Sequence, residues 1–149
     1  MVSRRDASPI GSPGAERVET IVVAAVVLRD DAGRVLSVRK RGTSRFMLPG
    51  GKPEPGETPG QTAVREVAEE LGAALDPAQL VLLGEFEAAA ANEPGHVVRS
   101  TVFTHPARVV AVVAAEIEEL RWATLDELET DPAVAELTSR RVVPALRAI

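Results

Sequence analysis

Residues 58–72, TPGQTAVREVAEELG, carry local signals for a helix with both ends specified, and a helix fixed there constrains everything around it. Thr58 is a capping residue, Pro59 sits at the first helical position where its missing N–H does no harm, and Gln61 completes a T-x-x-Q capping box. Ala63, Val67 and Leu71, flanked by Val64 and Ala68, form an apolar stripe at helical spacing, and Gly72 is placed to end the helix. The segment before it, residues 40–57, holds four Gly and three Pro, too many for regular structure. A long loop followed by a pinned helix is therefore expected, and long ordered loops tend to be functional.

The remaining chain reads as strands first and helices last. Residues 18–28, VETIVVAAVVL, are β-branched and nearly unbroken, as in a strand buried on both faces. Asp30 to Gly33 supply turn chemistry, and residues 34–39 read as the return strand of a hairpin. Residues 80–90 and 97–104 look like two strands joined through the turn at Asn92 to Gly95. Residues 109–123 stay open between strand and helix. Thr124 and Glu127 form a second capping box, Asp131-Pro132 opens a further turn, and Thr138 or Ser139 starts a last helix that Pro144 limits or kinks. No internal repeat is present. Residues 1–17, rich in Ser, Pro, Gly and Arg, read as a flexible tail, which leaves 18–149 as a single domain.

Composition narrows the functional classes. Hydrophobic residues at 45% and charged residues at 26% suit a folded globular domain. The formal net charge of −5 argues against stable nucleic-acid binding or adhesion to anionic lipid, both of which need a basic face. With no cysteine, any metal site must use oxygen or imidazole. The longest apolar run, Ile21 to Leu28, is far below the roughly 20 residues that span a bilayer. The N-terminal residues have no apolar segment behind their basic ones, so a cytoplasmic location is the default expectation.

Glu66, Glu69 and Glu70 stand at i, i+3 and i+4, which puts three carboxylates on one side of the helix. Apart from Arg65, no Lys or Arg at residues 61–74 offsets them. A divalent cation would relieve their repulsion, and Mg²⁺, which favours oxygen ligands and keeps several waters, suits such a face. Gly51, without a side chain, lets a backbone carbonyl approach the same ion. The plainer alternative is a solvated acidic face, with Arg65 in a weak surface ion pair. Arg39, Lys40 and Arg41 form a basic patch, from which Arg39 and Arg41 are taken as phosphate-binding candidates. His96 and His105 are isolated and read as hydrogen-bonding side chains. Phe46 reads as core or pocket wall. Turn chemistry accounts for Asn92 and Glu93, with a place along a substrate cleft as the alternative.

The stretch Gly51 to Ala73, GKPEPGETPGQTAVREVAEELGA, resembles the Nudix box. Gly51, Glu57, Arg65, Glu66, Glu69, Glu70 and Gly72 fill its fixed positions in register, Val67 fills the first aliphatic one, and Ala73 matches the last weakly. Fixed residues at roughly 5 to 7% frequency each would coincide this way by chance about once in 10⁸ to 10⁹ windows. The resemblance implies an α/β (α+β) fold, an α/β/α sandwich with a mixed β-sheet between helices. It implies a hydrolase of a phosphoanhydride (pyrophosphate) bond in a nucleoside diphosphate derivative, dependent on Mg²⁺, with Mn²⁺ as a substitute. Glu66 and Glu70 become metal ligands, Glu69 a further ligand or the base toward water, and Glu57 and Arg65 the groups that orient them. From a later loop Glu116 is taken as an added ligand or base, in preference to Glu118 and Glu119. The partner implied is a small-molecule nucleotide, and homodimers are common in the family.

Two other readings are open on the same residues. A catalytically inactive nucleotide-binding or sensor module would have lost charged box positions, and all are present. A structural partner-binding domain does not explain Glu57, Arg65 and the triple Glu together. Subfamily markers after the box, a proline for ADP-ribose or a tyrosine for diadenosine polyphosphates, are absent, since Ala88 to Ala91 occupy that region.

Overall fold

The computed structural model describes residues 18–149, and the tail expected over residues 1–17 lies outside the described residues. The β-branched run becomes β1 (Glu19–Val27). Its alternating side chains serve two cores. Ala24, Val26 and, just past the strand, Leu28 pack with Ala63, Val67 and Leu71 of α1 (Pro59–Leu71). Ala25 and Val27 pack instead with Leu128, Val142, Val143 and Leu146 from the C-terminal helices. The strand is thus buried on both faces over Ala24–Val27, while Glu19, Thr20 and Val22 are exposed, and the sheet it belongs to lies between helices. Each fully buried Val or Leu here contributes about 1.5 to 3 kcal/mol relative to exposure.

That sheet is four-stranded and mixed, in the order β3 (Gly50–Gly51), β1, β5 (His96–Thr104), β4 (Val81–Ala89). β1 and β5 run parallel from Glu19 opposite His96 to Val27 opposite Thr104. β4 and β5 form the expected antiparallel pair around the Asn92 to Gly95 turn. The hairpin expected between β1 and β2 (Val35–Lys40) needs correction. Only its base forms, with Arg34 O accepting from Asp30 N–H and Leu28 O from Leu36 N–H, each at 3.0 Å. β2 then pairs antiparallel with β6 (Ile117–Ala123) in a separate two-stranded sheet. The open segment 109–123 resolves accordingly into irregular backbone followed by β6.

Both capping boxes form. Thr58 Oγ1 accepts from Gln61 N–H at 3.2 Å and Gln61 Oε1 from Thr58 N–H at 2.9 Å, while Gly72, at φ 67°, closes α1. Thr124 and Glu127 do the same for α2 (Leu125–Thr130). The last helical stretch starts earlier than Thr138. It passes through a π-helical segment, Leu137–Val142, where Val143 N–H reaches Thr138 O, and continues as α3 (Val143–Arg147). The widened turn falls just before Pro144, whose ring would crowd a regular helix there.

β3 is short, yet it fixes the edge of the sheet nearest α1. A Cβ on Gly50 would lie 2.1 Å from Ala24 O, a backbone atom that cannot swing aside. Gly50→Ala should therefore cost more than about 2 kcal/mol, read as a fall in the denaturant midpoint, because the β1–β3 pairing must open to admit the methyl group.

Candidate active site

α1 and the loop before it are locked together by one guanidinium. Arg65 donates to Glu57 through Nε (2.6 Å) and Nη2 (2.9 Å), a two-point fork, and Nη2 also reaches Lys52 O at 3.0 Å. Its Nη1 donates to Glu66 Oε2 at 3.0 Å and Glu69 Oε1 at 3.1 Å. Glu57 accepts in addition from Glu54 N–H and Thr62 Oγ1. The Arg65 hydrogen bonds, and then the Glu54 N–H, pull the Glu57 carboxyl down to about 2. Arg65 is thus no loose surface pair. It orients two of the three helix carboxylates from below.

Glu70 faces the opposite electrostatic situation. It is fully buried at the end of α1, with Oε1 accepting from Gly50 N–H at 3.2 Å. Lys40 Nζ is 3.2 Å from Oε2, close enough for an ion pair, yet Oε2 has no hydrogen bond of proper geometry. Burial pushes the Glu70 carboxyl up to about 7, with Lys40 and the Gly50 N–H only partly opposing it. Glu66 sits between, so close to Gly51 that a Cβ there would meet its carboxylate carbon at 2.5 Å. A side chain at 51 would displace the Glu66 carboxylate from this position.

Glu116 arrives from a segment tied to the end of the same helix. Val112 N–H donates to Leu71 O at 2.9 Å and Ala114 N–H to Glu70 O at 3.0 Å, occupying carbonyls that a helix end leaves free. Arg41 N–H then binds Glu116 O at 2.7 Å and Arg41 Nε binds Ala115 O at 2.9 Å. Glu118 pairs with Arg41 at 2.6 Å and Glu119 with Arg39 at 3.2 Å.

A cavity of about 430 Å³ collects these groups. Lys40, Lys52, Glu66, Glu69 and Glu116 line its polar end, with Gly50 and Gly51 beside them. Glu70 stands behind, reached through Gly50 and Lys40. Arg39 and Arg41 do not line it. Lys40, one position off on the strand, does, and strand alternation was the signal that distinguishes them. Asn92 and Glu93 line the rim. Phe46 lies in the core under the Arg121 guanidinium, 4.4 Å from the ring centroid. His105 is structural, its Nε2 facing Asp76 O at 2.9 Å and its Nδ1 accepting from Ala107 N–H.

The donor set suits a hard divalent cation. It offers carboxylate oxygens, one of them buried and without a hydrogen bond, around a glycine that a side chain would block. Among the described residues, no three Asp, Glu or His side chains converge closely enough to hold an ion as they stand. The reason is visible: Arg65 bridges Glu66 and Glu69, and Lys40 sits against Glu70.

The model of the NUDIX domain matches residues 19–146. The chain belongs to the Nudix hydrolase family. It is 31% identical over 129 residues to a "MutT-like protein" of Streptomyces ambofaciens, covering 87% of this chain and 78% of that one. Among solved structures it is similar to the MutT protein from Methanosarcina mazei Go1, with a TM-score of 0.74 at 20% identity over 89% of this chain and 97% of that one. The E. coli dihydroneopterin triphosphate pyrophosphohydrolase gives 0.63 at 22% identity, over 85% and 95%. These two structures show the α/β fold, a mixed sheet with helices, that the resemblance implied. Among the described residues no helix is long and apolar enough to cross a membrane.

The raised Glu70 value has a thermodynamic consequence. Folded Glu70 binds its proton more tightly than the unfolded chain does, so its contribution to stability is full below about pH 4.5 and is lost as pH rises to about 7. Metal-free protein should lose on the order of 2 to 3 kcal/mol across that window, measured by chemical denaturation, and Glu70→Gln should flatten the profile.

Proposed function

We propose that the chain hydrolyses a phosphoanhydride bond in a nucleoside diphosphate derivative at the polar end of this cavity, with Mg²⁺ held by Glu66, Glu69 and Glu70. The observation that carries the reading is the buried Glu70, whose Oε2 lacks a hydrogen bond, on the same helix as two carboxylates that line a cavity. A charged oxygen in that position is costly for the free protein and valuable to a cation. When bound, the ion neutralises phosphate oxygens and makes a coordinated water easier to deprotonate.

The protein's own groups then divide the work. Lys40 and Lys52 line the same end and offer ammonium groups to the phosphate chain. Glu69, more than half exposed and steadied by Arg65, is placed to accept the proton of the attacking water. Glu57 acts through Arg65, which holds Glu66 and Glu69 in register. Glu116 approaches from the facing segment and adds a carboxylate to the rim. Arg39 and Arg41 steady the strand and the Glu116 segment. The aliphatic remainder of the cavity, with Ile21, Val23 and Val98, takes the nucleoside portion. The names of relatives point the same way, since one is called a pyrophosphohydrolase of a triphosphate.

Turnover of a panel of nucleoside triphosphates, nucleotide sugars and dinucleotides with Mg²⁺ tests the reading. Glu69→Gln and Glu70→Gln should each lower kcat by about 10²- to 10⁴-fold, and chelation should stop turnover. Hydrolysis indifferent to both changes and to chelator would count against it.

Replacing Arg65 separates orientation from charge. Arg65→Lys keeps the cation but breaks the fork to Glu57, so activity should fall by about 10- to 100-fold while Mg²⁺ affinity, read by calorimetry, weakens in parallel.

A further inference from the structure

We propose that Ser100 reads the nucleoside end of the substrate through its hydroxyl, an inference that rests on the functional reading above. β1 and β5 run parallel with Ile21 opposite Val98, Val23 opposite Ser100 and Ala25 opposite Val102. Strand alternation puts these six side chains on one face of the sheet. Five are aliphatic and one is a hydroxyl. Ile21, Val23, Ala25, Val98 and Ser100 all line the cavity.

Ser100 is fully buried, and its Oγ has no hydrogen-bond partner. Alanine in its place would complete an apolar wall without burying an unpaired oxygen, which is costly. The fold therefore gains nothing from this hydroxyl, whereas a ligand in the cavity would. A hydroxyl both donates and accepts, so it can meet a ring nitrogen, a carbonyl or an amino group on a base edge.

Asn92, at the rim, is partly engaged. Asn92 Oδ1 accepts from Ser44 N–H at 3.2 Å, and its Nδ2 lies 4.0 Å from Met47 Sδ. No Phe or Trp lines the cavity, so no ring is there to stack on a base. On this wall of the cavity, recognition falls to aliphatic burial, which tolerates changes of shape, and to one directional hydrogen bond. The ligand class is a planar heterocycle on a phosphorylated sugar, met edge-on by Ser100.

The test compares wild type with Ser100→Ala on nucleoside triphosphates and on ribose 5-triphosphate, which has the phosphate chain and sugar but no base. Ser100→Ala should melt at the same or a higher temperature than wild type in the absence of ligand. Its KM should rise about 5- to 30-fold for at least one nucleoside triphosphate with kcat within about twofold, and both constants should be unchanged for the base-free compound. Wild type that is active while Ser100→Ala matches it on every nucleotide overturns this inference alone, as does an equal effect on the base-free compound. Wild type inactive on every phosphoanhydride overturns the functional reading, and this inference with it.

Discussion

A carboxylate removed from water has to be compensated, and much of this molecule is arranged around Glu70. Its burial comes from the helix that carries it, since Val67 and Leu71 on the same side of α1 anchor that turn against β1. Compensation comes from outside the helix. Gly50 N–H from β3 and Lys40 from the end of β2 approach the same carboxylate. Because neither offsets the burial fully, the carboxyl is held near neutral pH between its two protonation states, with Oε2 in a place where water does not reach.

The two cations near the carboxylates differ in kind, and the difference suits their places. Arg65 offers a planar fork, so it can hold Glu57 with one edge and still reach Glu66 and Glu69 with the other. Lys40 offers a single point charge on a flexible stem, a third exposed at the cavity's edge. The first builds a rigid frame. The second is a point contact that leaves the frame independent of it.

Much of this was legible in the residues, and what was not has a common cause. Thr58, Pro59, Gln61 and Gly72 specify α1 by local rules, so its bounds and its acidic face could be read directly. The two-sided burial of the second half of β1 followed from its unbroken β-branched run, although Val22 in the first half is exposed. Partners distant in sequence were harder. Nothing local tells Val35 to Lys40 to leave the strand before it and pair with residues some 80 positions on, because register is decided by which sheet face needs covering. The same limit led to Arg39 and Arg41 rather than Lys40, since a strand's inward face depends on that pairing. Ser100 was invisible for another reason: a lone serine in a strand means nothing until its neighbours on the same face are known to be aliphatic.

The Glu116 segment is held through main-chain amides, at Val112 and Ala114 on the end of α1 and at Glu116 O on Arg41. Amide attachments do not depend on side-chain identity, so the path of this segment is inherited from the helix while its composition is left open. Val110, Val112 and Val113 lie exposed along it. The geometry thus leaves room for relatives to vary this stretch widely, altering what lies beside the cavity mouth, while a carboxylate at its far end keeps its station.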